Sequence, residues 1–287
     1  RAGPVEQPER SLRFRDNWPR FRGADGCGVA GPGPWPTDWS GSDGRNILWK
    51  CELPLPGKSS PVVWADYVLV TGGTSEKQGL VCVDRASGAI VWTSILRRPP
   101  PMRTRLDGTG AVDVDEEPLS VPDDTGWAAP TPATDGRRIY VTYATADVAG
   151  FDFRGNQLWA RNFGKPDSVY GLASSLVVYK DLVIYQLDQG GFGEDGRSAI
   201  HWLDAKTGKT VISVKRPVPN SWTTPIVAET GSGPQLITAA DPWVIGYDAG
   251  IGAELWRAKG IQGDVAPSPI YAAGLVFAAN TYSKLLA

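Results

Sequence analysis

The sequence is poor in the residues that most often carry metal or nucleophilic chemistry. Its 287 residues contain one histidine, three cysteines and one methionine. A zinc site built from histidines is excluded by that count. The cysteines (Cys27, Cys51 and Cys82) show no CxxC spacing, are too few for a disulfide scaffold, and their odd number leaves at least one unpaired within a monomer.

The sequence also lacks a charge excess and a long apolar run. Lysine and arginine number 29 against 31 aspartates and glutamates, a net charge of −2, so we expect no general binding to nucleic acid or anionic membranes. No apolar stretch approaches the ~20 residues that a membrane-spanning helix needs, so we expect no transmembrane segment. The chain opens at Arg1 without an apolar signal segment, which predicts a processed form or a fragment.

The sequence is rich in glycine, proline and tryptophan (34, 24 and 12 residues), and it repeats a short phrase, Asp-x-x-Ser/Thr-Gly-x-x-x-Trp. Copies occupy residues 84–92, 152–159 (shortened), 204–212 (ending in isoleucine) and 248–256. We expect the aspartate to accept backbone N–H bonds, the glycine to supply a positive φ, and the tryptophan to cover a neighbouring sheet. The residues predicted to have these structural roles are Asp84, Gly88, Trp92, Asp152, Gly155, Trp159, Asp204, Gly208, Asp248, Gly252 and Trp256.

A second phrase, a small residue followed by proline and apolar residues, precedes each copy. It occurs at Pro61, Pro132, Pro225 and Pro269, and we align Ser175 with the proline in one unit. Apart from a longer first interval, the units repeat in the mid-forties of residues, a period typical of propeller blades. The segments between turns are short, β-branched and aromatic, which indicates strands. The predicted fold is therefore all-β: a β-propeller of four-stranded antiparallel blades, with about five blades present.

The four Asp-to-Trp phrases and the Ser-Pro-Val-Val opening at 60–63 resemble the β-propeller family named after pyrroloquinoline quinone, which includes the BamB-like proteins of bacterial outer-membrane assembly. The resemblance covers residues 46–287. Residues 1–45 are predicted to be a Gly/Pro-rich extension lying across the propeller face. Related propellers usually have seven or eight blades, so the resemblance implies a truncated, open arc; the alternative is a ring closed by residues 47–53, which would complete the fifth unit.

The resemblance implies a non-catalytic scaffold that binds a protein or an envelope polymer without a cofactor. It also implies a periplasmic, cell-envelope or secreted location. Trp222 and Trp243 are candidate partner contacts, although blade packing explains them equally well. The alternative is a quinoprotein alcohol or sugar dehydrogenase that uses pyrroloquinoline quinone with calcium. That family would place adjacent cysteines beside the quinone, and this chain has none. No catalytic, cofactor-binding or metal-binding residue can be matched, so none is assigned.

Three further features have ordinary explanations. The insertion loop 97–127 has a basic and an acidic half, and we interpret it as a solvated loop, with a partner contact or a metal site as alternatives. His201 takes the strand position that Val81 holds in the first unit, which predicts a packing role. Residues 191–196 match G-x-G-x-x-G but precede another strand, so we interpret the match as chance.

Overall fold

A computed structural model describes residues 14–99, 119–281, 283 and 285–287. Within these residues the regular structure consists of β-strands and two short 3₁₀ turns at Phe14–Asp16 and Gly193–Asp195. The strands form four complete four-stranded antiparallel sheets and one two-stranded sheet, each in sequence order. The prediction of an all-β chain built from four-stranded antiparallel units is confirmed.

Each sheet is one blade, and its first strand is the innermost. The strands of blade 1 are β1 (Val62–Trp64), β2 (Tyr67–Gly73), β3 (Gln78–Asp84) and β4 (Ile90–Ile95). Those of blade 2 are β5 (Ala133–Thr134), β6 (Arg138–Thr142), β7 (Asp147–Asp152) and β8 (Gln157–Asn162). Those of blade 3 are β9 (Val177–Tyr179), β10 (Leu182–Leu187), β11 (Ala199–Asp204) and β12 (Thr210–Lys215). Those of blade 4 are β13 (Ile226–Thr230), β14 (Gly233–Ala240), β15 (Trp243–Asp248) and β16 (Glu254–Lys259). The described part of blade 5 has β17 (Ile270–Ala272) and β18 (Leu275–Phe277).

The blades stack around an axis, as in a propeller. The first strand of blade 3, β9, contacts the first strands of blades 2 and 4, β5 and β13. Four apolar clusters lie between successive blades; the first, for example, joins Leu80 of blade 1 to Phe151 of blade 2, and the last joins Ile237 of blade 4 to Ala278 after β18. The core is therefore divided into layers between blades, which is how radially arranged sheets bury both faces.

The two ends of the blades differ, and we name them for what they contain. The turn end has the connections from first to second strand and from third to fourth strand, including the repeated aspartate–glycine turns at 84–88, 152–155, 204–208 and 248–252. The loop end has the connections from second to third strand and from each blade to the next, including 163–176, 188–198, 216–225 and 260–269.

The repeated aspartates sit in the turns of the turn end and accept backbone N–H bonds. Asp84 Oδ1 accepts from Ser87 N at 2.7 Å, and Asp204 Oδ1 accepts from Thr207 N at 2.8 Å. Side-chain bonds from the same serine and threonine lower the pKa of Asp84 and of Asp204. The four glycines of these turns all have left-handed φ values between +69° and +83°, which any other residue adopts at a cost.

The tryptophans cover the turn of the next blade and bind it through the indole N–H. Trp92 lies over Gly155 and donates to Phe153 O at 2.9 Å; Trp159 lies over Gly208 and donates to Ala205 O at 3.1 Å. Blade 3 has Ile212 at this position, and its cross-strand neighbour Trp202 on β11 donates instead to Ala249 O at 2.9 Å. In each pair the accepting carbonyl belongs to the residue after the repeat aspartate. Trp256 of blade 4 donates within its own blade, to Gln235 Oε1 at 2.7 Å.

Residues 47–53 form no strand in the described part of the chain, so the alternative in which they pair with the fifth unit is not observed. Trp49 donates to Arg85 O at 2.9 Å and its ring lies over Gly88. This is the relation that Trp92 has to blade 2. The segment therefore lies where the fourth strand of a blade preceding blade 1 would lie, and Leu48 in it is 93% exposed.

A row of hydroxyl groups joins the first strands near the loop end. The residue before each proline accepts a hydrogen bond from the equivalent backbone N–H of the previous blade: Ser60 N to Thr131 Oγ1 at 3.0 Å, Thr131 N to Ser175 Oγ at 2.9 Å, Ser175 N to Thr224 Oγ1 at 3.0 Å, and Thr224 N to Ser268 Oγ at 2.9 Å. Our alignment of Ser175 with the prolines is thus wrong by one residue: Ser175 is a hydroxyl position, and Leu176 replaces the proline.

The segment 14–28 lies across the inner strands on the axial side. Trp18 pairs with Val63 of β1, and Pro19 O accepts from Thr134 N of β5 at 2.9 Å. Further along, Gly26 packs against Ile226 of β13, where a Cβ would meet the isoleucine at 2.8 Å. The segment therefore runs from blade 1 towards blade 4 and covers part of the axis.

Candidate functional site

The loop end of blades 2 to 4 forms one continuous surface. Gly190 N donates to Asp167 O at 2.9 Å, which joins the blade 2–3 connection to the long loop of blade 3. Asn220 N then donates to Gly190 O at 2.9 Å. Trp222 N donates to Val265 O at 2.9 Å, so the connection between blades 4 and 5 belongs to the same surface. We call these four segments, residues 165–171, 188–197, 217–222 and 262–265, the loop platform.

The loop platform exposes apolar side chains. Val169 is 66% exposed, Tyr170 45% and Phe192 70%. The half-buried ring of Trp222 lies 5.0 Å from that of Tyr170, and its indole N–H donates to Gly171 O at 2.8 Å. Tyr170 in turn donates to Asp264 at 3.3 Å. Trp222 therefore supports the exposed residues from below, and it contributes only part of its own surface.

A buried ion pair holds the platform from beneath. Asp188 and Arg216 pair with both side chains fully buried. Ser221 Oγ donates to Asp188 Oδ2 at 2.5 Å, and Arg216 donates to Thr238 Oγ1 at 2.9 Å. Since Ser221 precedes Trp222, this network fixes the backbone that carries the tryptophan. Breaking such a buried pair leaves an uncompensated charge, which is strongly destabilising.

Trp243 also lies at the loop end, but in different surroundings. It opens β15 at the outer side of blade 4, where Arg257 and Lys259 lie 5.3 Å and 5.9 Å from its ring centroid. It packs at the edge of the apolar cluster between blades 3 and 4. The structure does not bring Trp222 and Trp243 into one cluster.

A cleft of about 360 Å³ opens at the opposite, turn end, between the segment 14–25 and the first strands of blades 2 to 4. Its apolar walls include Phe14, Val178 and Val227. Six charged residues also line it, three basic and three acidic: Arg15, Arg20, Lys180, Asp25, Asp135 and Glu229. The sequence did not mark this cleft, because segments more than 150 residues apart in the chain form it.

Other sequence features have structural roles here. His201 faces Ser213, whose Oγ lies 3.1 Å from Nδ1, and its ring lies 4.8 Å from that of Phe163. Burial, with Lys215 and Arg161 nearby, lowers the pKa of His201 to about 4. Burial also raises the pKa of the Cys82 thiol to about 12, which disfavours the nucleophilic thiolate. The glycine-rich loop 191–196 contains one short 3₁₀ turn before β11, which is too short to hold a phosphate as a helix N-terminus does.

The insertion loop can be described only at its ends. Arg98 Nε donates to Asp147 at 2.7 Å, which ties the start of the loop to blade 2. The acidic run 113–117, for which a partner contact or a metal was considered, lies outside the described residues.

The described residues do not supply a carboxylate cluster for calcium bound beside a quinone. No group of three or more histidine, cysteine, aspartate or glutamate side chains converges anywhere in the described part. In the cleft, Asp135 is already saturated: it accepts backbone N–H bonds from Arg137 and Arg138 and a bond from Tyr140. These residues therefore do not fit a calcium–quinone centre.

The four-stranded antiparallel blades and their repeated turns define a β-propeller. The family model described as "Outer membrane protein assembly factor BamB" matches residues 40–211 and 144–287. The chain belongs to this family.

Two solved structures are similar to the chain, and the first of them shows the same fold. The crystal structure of quinohemoprotein alcohol dehydrogenase from Comamonas testosteroni has a TM-score of 0.57 and 17% identity, covering 93% of this chain and 46% of that one. At this identity the likeness shows the fold alone, and the chain spans less than half of that enzyme. The crystal structure of BamB from Moraxella catarrhalis has a TM-score of 0.43 and 15% identity, covering 84% of this chain and 63% of that one. No curated protein sequence matched the chain.

In the described residues, no helix has the length and apolar character that crossing a membrane requires. Of the residues that form the loop platform, the sequence singled out Trp222 but not Val169, Tyr170 or Phe192. In the sequence these three residues are visible only as apolar residues inside loops, and such residues are common on any protein surface.

Proposed function

We propose that this chain is a non-catalytic β-propeller scaffold of the cell envelope that binds a protein partner through the loop platform. The observation that carries the proposal is the cluster of exposed apolar side chains, Val169, Tyr170 and Phe192, on loops that a buried ion pair holds in place. Exposed apolar patches with polar surroundings mark interaction sites, and aromatic residues contribute most to such contacts.

Membership of the BamB family supports the envelope location and a protein as the partner. It gives no argument for catalysis, since function lies in sites and not in folds. A scaffold of this kind needs no cofactor. Trp222 is proposed as the residue that shapes the platform, and Trp243 as a peripheral contact beside two basic side chains.

Crosslinking in an envelope extract of the host cells tests the proposal. A photoreactive amino acid is placed at Val169 or Phe192, and at Ile251 as a control, because Ile251 is 68% exposed at the turn end. We expect a discrete adduct from the two platform positions and none from the control. The double substitution Val169→Ser with Tyr170→Ser should abolish the adduct formed from position 192.

The matching double substitution Val211→Ser with Ile251→Ser, both more than half exposed, should leave that adduct unchanged. Neither pair should alter thermal stability by more than ~1 kcal/mol, because surface substitutions have small effects. Equal adducts from platform and control positions, or an adduct that survives the platform substitutions, would contradict the proposal.

A further inference from the structure

The cleft at the turn end has the features of a binding site, and it is separate from the loop platform. Its volume of about 360 Å³ lies at the small end of the range for ligand pockets, roughly 300 to 1,000 Å³. Phe14, Val178, Tyr179 and Val227 give it apolar and aromatic walls. Two basic residues of the cleft have unusual environments: Arg20 is buried, and Lys180 has a left-handed backbone.

Arg20 is the first of these residues. It is only 4% exposed, and its Nε and Nη2 both donate to Ala24 O, at 3.1 Å and 2.9 Å. In the described part of the chain no carboxylate lies within ion-pair distance of its guanidinium, and Nη1 has no acceptor there. Burial lowers the pKa of Arg20 to about 10, so the group is still a cation at neutral pH. Asp25 nearby opposes this lowering without forming an ion pair with Arg20. A buried cation with no carboxylate in direct contact is costly, and an anion in the cleft would offset that cost.

Lys180 is the second basic residue of the cleft with an unusual environment. It stands in the turn between β9 and β10 with a φ of +53°, where blades 1 and 5 have Ala65 and Ala273 with φ values of +52° and +51°. Left-handed backbone is disfavoured for residues with long side chains, and such strain tends to occur at functional sites. The side chain lies with its Nζ 5.0 Å from the ring centroid of Tyr179, at the wall of the cleft. A lysine at this position therefore brings a second cation to the cleft.

The acidic residues limit the charge that the cleft accepts. Asp135 pairs with Arg138, whose Nη1 lies 3.7 Å from Asp135 Oδ2. Asp25 lies 3.8 Å from Arg15, and its charge also acts on Arg20. With Asp135 paired in this way, the other charged residues that line the cleft carry one net positive charge: Arg15, Arg20 and Lys180 against Asp25 and Glu229. A ligand with a single negative charge fits this balance, whereas a dianion would be repelled by Glu229.

We propose that the cleft binds the C-terminal carboxylate of a polypeptide whose last residue is apolar. The carboxylate takes the free guanidinium edge of Arg20, with Lys180 beside it, because arginine pairs with carboxylates through charge-assisted bonds. The last side chain lies between Val178 and Val227. Capture of a chain terminus is an established mode of peptide recognition. The site does not depend on the loop platform, so either proposal can fail alone.

Calorimetry with short peptides tests the assignment on the whole chain. The probes are N-acetyl tripeptides that end in leucine, valine or phenylalanine, each as the free acid and as the C-terminal amide. We expect at least one free acid to bind with a Kd below about 1 mM and to bind about tenfold more tightly than its amide. Equal affinity for acid and amide, no binding by any free acid, or equally effective competition by inorganic phosphate would each overturn the proposal.

Two substitutions place the site within the molecule. Lys180→Ala installs the residue found at the same turn in blades 1 and 5, so the fold should be unaffected while the free acid binds several-fold more weakly. Arg20→Met removes the charge but keeps an apolar stem, and it should abolish the preference for acid over amide. Lys206→Ala, at the exposed turn 204–208, is the matched control and should change nothing. If both variants keep the acid preference of the unmodified protein, the cleft is not the site.

Discussion

The turn end and the loop end of this propeller follow different rules. At the turn end the same atoms recur from blade to blade: an aspartate accepts backbone N–H bonds, a left-handed glycine follows, and an indole from the preceding blade donates to the carbonyl after the aspartate. At the loop end the connections differ in length and composition, and the exposed apolar residues Val169, Tyr170 and Phe192 have no counterparts in a repeat.

Under the proposed function, the difference separates stability from recognition. Repeated contacts at the turn end bind each blade to the next, so they serve the scaffold and cannot vary freely. The loops are held by a few individual interactions, such as the Asp188–Arg216 pair, and their outer side chains are free to vary. The cleft lies at the turn end but outside this pattern: Lys180 stands where blades 1 and 5 have alanine, and the segment 14–25 adds Arg20.

The largest expected effect comes from breaking a contact at the turn end. In Gly208→Ala the new Cβ would meet the ring of Trp159 at 2.4 Å, and the φ of +69° is unfavourable for alanine. The backbone costs ~1 to 2 kcal/mol and the clash a further ~1 to 3 kcal/mol. We expect a loss of about 3 kcal/mol in the free energy of unfolding, measured by urea denaturation.

Gly164→Ala is the matched control from the loop end. Its φ is +89°, yet nothing lies within 4 Å of the new Cβ. Only the backbone cost remains, so we expect a loss of about 1 kcal/mol. Equal losses in the two variants would show that the indole contact adds nothing, and the distinction between the two ends would fail for this pair.

The sequence predicts the turn end well because its signals are local. The phrase Asp-x-x-Ser/Thr-Gly contains the acceptor, the donor and the left-handed residue within five positions. The phrase does not identify Trp202. In blade 3, Ile212 occupies the position of the repeat tryptophan, and the indole that donates to Ala249 O is that of Trp202 on β11. Trp202 lies ten residues before Ile212, and its role can be recognised only once β11 and β12 are known to pair.

The parts that the sequence could not predict depend on distant segments. Ser175 was misaligned because a proline is a more visible marker than a hydroxyl, although serine or threonine stands before every proline of the phrase. Arg20 gave no signal at all, since its burial results from the segment 14–28 lying across strands from blades 2 to 4. Pairing between chain segments so far apart is set by the tertiary fold and not by local pattern.

A second expected effect tests the hydroxyl row that joins the blades near the loop end. Thr131→Val keeps the shape but removes the acceptor for Ser60 N, and residue 131 is 2% exposed. Leaving a buried N–H without a partner costs ~1 to 3 kcal/mol. We expect a loss of about 2 kcal/mol in the free energy of unfolding. Thr93→Val, at an exposed position of β4, should be neutral within ~0.5 kcal/mol; a comparable loss there would mean that the bond is not the cause.

A third, smaller effect concerns pH and lies in blade 3, between the two ends. The folded-state pKa of His201 is about 4, against an ordinary value near 6.5. Folding therefore favours the neutral ring, so its contribution to stability is complete above pH 6.5 and is lost as the pH falls from 6.5 towards 4. We expect the thermal midpoint to fall over this window. His201→Val, which installs the residue found at this position in blade 1, should reduce that fall. An identical pH profile in the variant would show that other groups are responsible.

The smallest expected effect is no response to pyrroloquinoline quinone. A quinone stacked on an indole would quench tryptophan fluorescence saturably, and the chain has tryptophans in every complete blade. The indoles at the turn end, however, lie against the turns of neighbouring blades, and the described part of the chain brings no three carboxylate, histidine or cysteine side chains together to hold calcium. We therefore expect titration with the quinone and calcium to give only a linear inner-filter decrease. Saturable, calcium-dependent quenching at a one-to-one ratio would contradict the scaffold proposal, because it would show that the protein has a specific site for the quinone.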